Sequence, residues 1–251
     1  MPAISVCIIS FNEEDKIEDC LKSVLPVADE IVIVDSLSTD RTLAIAEKYT
    51  DQIHQQKFLG HIEQKNLAVQ KASNDWILSL DCDERLSPEL QHSILAIRDS
   101  LDDADAYCMA RKTFYIYRWL NHCWYPDVKT RLFNRNSSRW GGTNPHDHII
   151  TDGGNVVRLK GDIQHFSFDS ISDHLKTIDR FTEIGADELI RRNKRFNLFS
   201  PITHASWTFI RLYFIKRGFL DGFAGLLVSV LSYMHVFIKY SKALIKRRQR
   251  G

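Results

Sequence analysis

Three short segments of the 251-residue chain carry side chains able to do chemistry, and each follows an apolar, β-branched run. Ser10, Phe11, Asn12 and Glu13 follow ISVCII. Asp35, Ser36, Ser38, Thr39 and Asp40 follow IVIV, and Asp81, Asp83 and Glu84 follow WILSL. Carboxylates gathered on one rim select a hard divalent cation, Mg²⁺ or Mn²⁺, and such an ion ordinarily binds phosphate oxygens besides. The same residue types also form turns and helix caps after strands. One segment alone decides nothing; three in series favour a ligand site. No GxGxxG follows the first run and no GxxxxGK[ST] occurs anywhere, so the usual dinucleotide and P-loop routes to a phosphate are absent. A phosphate-bearing ligand has to be held through a metal instead.

The elements that must position these segments are legible from apolar patterning. Ile4–Ser10, Ile31–Asp35 and Trp76–Leu80 read as buried strands, with residues 52–58 as a third, more polar one. Helices are expected through Ile17, Leu21, Val24 and Leu25, from a cap at Thr39 or Asp40 to about Tyr49, over about 60–72, and after Ser87 and Pro88. This βαβαβαβα series predicts an α/β fold with a mostly parallel central sheet flanked by helices, and ligands beyond the carboxyl ends of its strands. After residue 104 the pattern changes. Strands are predicted at 107–117, 129–135, 156–160 and 163–166 between polar loops, and Ile171, Leu175, Ile178, Phe181 and Ile184 recur at helical spacing.

Composition sets the class. The chain is 44% hydrophobic and 26% charged, which excludes wholesale disorder, and 33 Lys+Arg against 32 Asp+Glu leave +1. That neutrality hides a division. Residues 207–251 hold nine Lys/Arg and one acid, Asp221, for +8, while the first 206 residues carry −7. Residues 222–238 contain no charged side chain, and Lys239, Lys242, Lys246, Arg247, Arg248 and Arg250 follow. This pattern predicts helices lying on a membrane, with the bases toward anionic headgroups, ahead of two alternatives, a spanning helix and a buried core element. An acidic body without a recognition element argues against nucleic acid as a partner. Five cysteines without a CxxC pair, and no secretory signal, predict free thiols and a cytoplasmic location.

In order and spacing these segments resemble glycosyltransferase family 2, and within it the lipopolysaccharide-core β-1,4-glucosyltransferases. The resemblance rests on ISVCIISFNEEDKIEDCLKSV, EIVIVDSLSTDRT, QKNLAVQKASNDWILSLDCDE, RLFNR, the pair His146-Asp147, and GFLDGFAG. It implies the GT-A fold of nucleotide-diphospho-sugar transferases and inverting transfer of a hexose, glucose from UDP-glucose being the expected donor. Site roles follow from it. Asp35 accepts the N3–H of uracil, Ser10, Phe11, Asn12 and Glu13 line the nucleoside pocket, and Asn66 braces it from beneath. Asp81 meets the ribose, or the metal through water, Asp83 and His165 hold the metal, Asp147 is the base, and His146 orients Asp147 or touches substrate. Lys65 reads equally well as part of a solvated helix face, and Glu84 as a brace for its loop. Three residues depart from the family pattern: Leu37 in place of Gly, Cys82 in place of Ala, and Asp147 in place of Glu.

The expected organisation is a GT-A domain over 1–200, with a nucleotide-binding half (1–104) and an acceptor half (105–200), then membrane-associating helices over 201–251. The expected function is a metal-dependent inverting transferase of bacterial envelope or lipopolysaccharide biosynthesis, peripheral or monotopic at the inner face of the cell membrane, acting on a lipid-linked saccharide. The alternatives are a related transferase for a capsule or exopolysaccharide, and a catalytically silent nucleotide-sugar-binding scaffold.

Overall fold

The computed structural model describes residues 2–143 and 146–250, with His146 and Arg250 described by backbone alone. The chain divides into two compact units, Met1–Arg111 with Asp127–His165, and Lys112–Pro126 with Phe166–Gly251.

In the first unit the apolar runs form parallel strands β1 (Ile4–Ser10), β2 (Glu30–Asp35), β3 (Ile53–Gln55) and β4 (Trp76–Asp81), in the order β3-β2-β1-β4. Successive side chains on a strand point to opposite faces, and here both faces are covered. Ile4, Val6, Ile8 and Ile33 pack with Ile17, Cys20, Leu21 and Val24 of α1 (Ile17–Val24). Cys7, Val32, Val34 and Ile77 pack with Ala68 and Val69 of α3 (His61–Lys71). The short α2 (Thr42–Ala46) follows β2, and α4 (Pro88–Ala96) starts at Ser87, whose Oγ accepts the N–H of Leu90. The register sets Ser10 beside Asp35 and Ile9 beside Asp81, so the three chemically loaded strand ends share one rim.

The sheet continues in mixed sense through β8 (Asp127–Asn134), β6 (Ala106–Tyr115), β11 (Val156–Phe168) and β5 (Glu84–Leu86). Here the structure departs from the expected elements. The two strands predicted over 156–166 are one, because Gly161, at φ +89°, carries the chain past Leu90, whose N a Cβ would meet at 2.3 Å. β5 was not expected; three residues are too few for a period. Residues 140–148, a loop by composition, fall instead within an antiparallel hairpin of β9 (Ser138–Thr143) and β10 (His146–Thr151).

In the second unit β7 (Arg118–Trp119) pairs with the end of β6, helices α5 (Ile171–Arg191), α6 (Ser200–Ile210) and α7 (Gly222–Arg250) follow, and Ala224 and Val228 of α7 pack with Tyr115, Leu120 and Cys123. His174 bonds Tyr115 Oη at 2.9 Å and stacks on Phe168, and burial holds its imidazole down to about 4. Gly218–Gln249 is long and apolar enough to cross a membrane by length and composition, at mean hydropathy 1.5 over its most apolar window. Two lysines of its basic end are engaged with protein. Lys242 pairs with Asp179 at 2.9 Å and Glu183 at 3.2 Å, and Lys246 with Asp187 at 2.7 Å and with Glu183. Those two lysines, expected at headgroups, bind α5 instead.

Between α6 and α7 a π-helical turn (Arg211–Ile215) and a 3₁₀ turn (Gly218–Asp221) reverse the chain. Asp221 fixes them. Its fully buried carboxylate accepts the backbone N–H groups of Asn121, His122 and Cys123 at 2.9–3.0 Å and faces His122 Nδ1 at 3.0 Å. Burial alone raises a carboxyl pKa; these donors outweigh it and leave the group below its usual range. Asp221→Asn is expected to lower unfolding free energy by about 3 kcal/mol, measured by urea denaturation. A carboxyl with a depressed folded pKa stabilises above its unfolded value, near 3.9, and ceases to as pH falls through the folded one. The deficit of the variant should therefore shrink below about pH 4.

Candidate functional site

The first cluster joins the ends of β1 and β2. Asp35 is fully buried, and its Oδ1 accepts from Ser10 Oγ at 2.8 Å and Ser38 Oγ at 2.5 Å. Oδ2 accepts the N–H of Ser38 at 2.7 Å, which leaves it one lone pair for another donor. Asp35 is not a helix cap: the N-cap position of α2 is Arg41, and Asp40 accepts the N–H of Thr42 at 2.9 Å. Asn12, at φ +53°, receives the N–H of Thr39 on its Oδ1 and donates its own N–H to Ser38 Oγ, both at 2.8 Å, tying the two loops together. Glu13 donates its N–H to Thr42 Oγ1 at 2.8 Å, and Phe11 projects into solvent. Leu37 sits at φ +67° with its side chain exposed. The backbone thus adopts the left-handed turn that glycine suits, against a steric cost of about 1 kcal/mol.

The second cluster is a buried ion network at the end of β4. Lys65 on α3 is 4% exposed, and its Nζ lies 3.0 Å from Asp81 Oδ1, 2.8 Å from Asp147 Oδ2, and 4.3 Å above the Trp140 ring. The solvated-face reading of Lys65 is wrong: its ammonium has exchanged water for two carboxylates and an indole. Arg131, from RLFNR, reaches Asp81 Oδ2 at 3.2 Å and Glu84 Oε1 at 2.8 Å. Arg111 joins Glu84 at 3.2 Å to Asp127 at 2.8 Å. Glu84 is fully buried and accepts the N–H of Asp81, so it braces the loop. Burial would raise the pKa of Asp81 and of Asp147, but nearby Lys65, joined by Arg131 at Asp81, pulls both below the ordinary carboxylate range.

Asp147 lies on strand β10, beside Gly142, and not in a loop. The hairpin is anchored by Asn66, whose Nδ2 donates to Trp140 O at 3.0 Å and whose Oδ1 accepts Trp140 N–H at 3.1 Å. Two adjacent residues of α3 thus hold β9 and β10 respectively. The side chain of His146 lies outside the described residues.

The third cluster is Asp83 with His165, whose Nε2 is 3.1 Å from Asp83 Oδ2. Pairing of β11 with β5 sets His165 opposite Glu84 and so delivers it here. Cys82, between the two aspartates, is buried and points its Sγ to Ile9 O at 3.2 Å, hooking this segment onto β1.

Comparison with known proteins places this geometry. The sequence profile of Glycosyl transferase family 2 matches residues 5–166, which take in all three clusters. The chain belongs to glycosyl transferase family 2. A glycosyltransferase of Rickettsia prowazekii is 30% identical over 96% of this chain and 87% of its own length. The lipopolysaccharide core biosynthesis glycosyltransferase LpsC of Rhizobium meliloti is 26% identical over 95% of this chain and 91% of its own. Among solved structures, the mannosyltransferase PcManGT of Pyrobaculum calidifontis, in complex with GDP-Man and Mn²⁺, superposes with TM-score 0.57 at 14% identity, covering 98% of this chain and 88% of that one. S. aureus TarS gives 0.50 at 19% identity over 88% of this chain and 45% of its own. The fold is GT-A.

In this family-2 chain the third cluster fits a divalent cation. Two cis ligands about 2.1 Å from an octahedral ion stand ~3.0 Å apart, close to the Asp83–His165 separation. Nδ1 of His165 is buried without a hydrogen-bond partner. Both oxygens of Asp81 are engaged by cations, which removes Asp81 as a direct ligand. Among the described residues no group of three or more His, Cys, Asp or Glu forms a metal cage. A metal held here depends on further oxygens from ligand and water.

Lys65, Arg111, Arg131 and Trp140 were assigned no role from the sequence. RLFNR carried the only available signal, and its two arginines do different work: Arg131 enters the network, while Arg135 binds Ala72 O at the end of α3. Lys65→Met should lower unfolding free energy by about 3 kcal/mol in urea, since it leaves two carboxylates without their cation, and Lys65→Arg should recover part of it. The stabilisation comes from a depressed Asp147 pKa, so in the wild type it persists above the unfolded value and is lost as pH falls through the folded one. The two proteins should converge in stability at acid pH.

Proposed function

We propose that this chain is an inverting, metal-dependent hexosyltransferase that moves a hexose, glucose from UDP-glucose as the favoured donor, onto a lipid-linked saccharide such as a lipopolysaccharide inner core. Family membership and the likeness to LpsC support the reaction class and the pathway. One observation carries the mechanism: Asp147 is fixed, through Lys65, in the same ion network as the first aspartate of Asp81-Cys82-Asp83.

Asp35 takes the nucleobase N–H on the remaining lone pair of Oδ2, in a pocket lined by Ser10, Phe11, Asn12 and Glu13. Asp81 orients the ribose, and Asn66 acts from beneath by holding Trp140. Asp83 and His165 would hold Mg²⁺ or Mn²⁺, which when bound would supply positive charge to offset that gathering on a departing diphosphate. Asp147 is the catalytic base. The acceptor hydroxyl oxygen bonds to the anomeric carbon, the bond from that carbon to the diphosphate breaks with its electron pair leaving on oxygen, and the hydroxyl proton passes to Asp147. With its pKa held low by Lys65, Asp147 is ionised at neutral pH. Aspartate reaches one methylene less than glutamate, and the anchored hairpin supplies the placement. Residues 1–200 carry the chemistry, and the helices beyond them place the enzyme at the cytoplasmic face of the cell membrane.

Purified full-length protein is incubated with Mn²⁺ and a panel of nucleotide sugars, and released nucleotide is measured. UDP-glucose should give the fastest release. Asp147→Asn should lower kcat for transfer by about 10³-fold while UDP binding, by calorimetry, stays within about twofold. Turnover retained in that variant removes Asp147 as the base, and no release from any donor favours a silent nucleotide-sugar-binding scaffold.

A further inference from the structure

The turn between α6 and α7 holds large apolar side chains in solvent. Phe214, Ile215, Phe219, Leu220 and Phe223 lie within ten residues of one another and are each 46–66% exposed. Among them Arg211, Lys216 and Arg217 are exposed and make no ion pair among the described residues. The one acid of this stretch, Asp221, is buried under four donors. The outward surface is therefore apolar and cationic only.

Nor is the exposure that of a slack loop. Arg217 at φ +56° and Gly222 at φ +63° make the reversal, and the backbone closes on itself so tightly that a Cβ on Gly225 would stand 1.9 Å from Gly218 O. A Cβ on Gly218 would stand 2.7 Å from Leu212 O. Glycines and a buried carboxylate hold the backbone in a shape that keeps these side chains out. A fixed apolar tip ringed by unpaired cations matches the interface of an anionic bilayer, where side chains enter the acyl boundary and bases meet phosphates. The charge of the whole unit agrees: Lys112–Pro126 and Phe166–Gly251 hold 17 Lys/Arg against 7 Asp/Glu, whereas the first unit holds 16 against 25.

We propose that residues 211–223 are the membrane-inserting element of this protein, with Phe214, Ile215, Phe219, Leu220 and Phe223 entering an anionic leaflet and Arg211, Lys216 and Arg217 binding its phosphates. This rests on the membrane location proposed above and moves its centre. Among the C-terminal bases Lys242 and Lys246 are neutralised by α5, Lys239 is half-buried and Arg247 lies over the Phe196 ring, while Arg248 is exposed with no large apolar cluster beside it like that of the turn.

The test is co-sedimentation of full-length protein with vesicles of phosphatidylcholine alone or with phosphatidylglycerol. Phe219→Ser/Leu220→Ser should weaken binding to the mixed vesicles by about 30-fold or more. Lys216→Glu/Arg217→Glu should abolish the preference for phosphatidylglycerol, at about fivefold or more per charge. Arg247→Glu/Arg248→Glu should change binding by less than either. Far-UV circular dichroism and UDP binding, unaltered in all three, establish that they fold. Tip variants that bind like wild type while the Arg247/Arg248 variant dissociates overturn the inserting tip and keep the membrane location. A wild type that binds neither vesicle overturns both. A wild-type dimer by light scattering that the tip variants convert to monomer makes a second copy the occupant and overturns the proposal.

Discussion

An ammonium group buried between two carboxylates is the constraint around which the first unit is arranged. Removing a lysine from water costs several kcal/mol, and only close, ionised partners offset it. Lys65 has two such partners, one at the end of β4 and one on β10, and the Trp140 ring covers it. The next residue, Asn66, clasps the backbone of β9. The hairpin is thereby held in register as well as in place: a one-residue slip of β10 would turn Asp147 to the opposite face and leave the ammonium half-paired. The separation of Asp147 from the strand-end aspartates is thus set by α3.

The parallel half of the sheet is legible in the sequence because its strands are continuous apolar runs buried on both faces, and their ends align by register. What lies beyond is carried by pairs far apart in the chain. Lys65 meets Asp81 across 16 residues and Asp147 across 82; one lysine on a polar helix says nothing of a partner that distant. The β9 segment, SRWGGT, has two glycines and one large apolar residue, so no period marks it as a strand. Its partner β10 and the side chain of Asn66 make it one. His165 was placed with Asp83 by likeness alone, and the geometry that joins them depends on β5, too short to be read.

Cysteine usage follows the same logic. All five thiols are free, and Cys7, Cys20, Cys82 and Cys123 are buried; burial holds each of these four thiols above its ordinary pKa. They serve as small apolar residues with a weak donor. Cys82 is small and buried in the Asp81–Asp83 turn and adds a contact to Ile9 O that an alanine would lack.

Charge separates more sharply in the fold than along the chain. A cut at residue 206 assigns Asp179, Glu183 and Asp187 to the acidic body, yet these acids lie on α5 and neutralise Lys242 and Lys246. Cut by compact unit, the difference widens, to −9 in the first and +10 in the second. The acids of α5 also sort the bases of this unit: Lys242 and Lys246 on α7, once paired, lose their reach to an anionic surface, and those at the turn, where Asp221 is already committed to backbone donors, retain it. A basic tail read as one uniform face is in the folded protein two populations, one that fastens a helix and one left for a partner. Helix packing makes that distinction, and composition cannot.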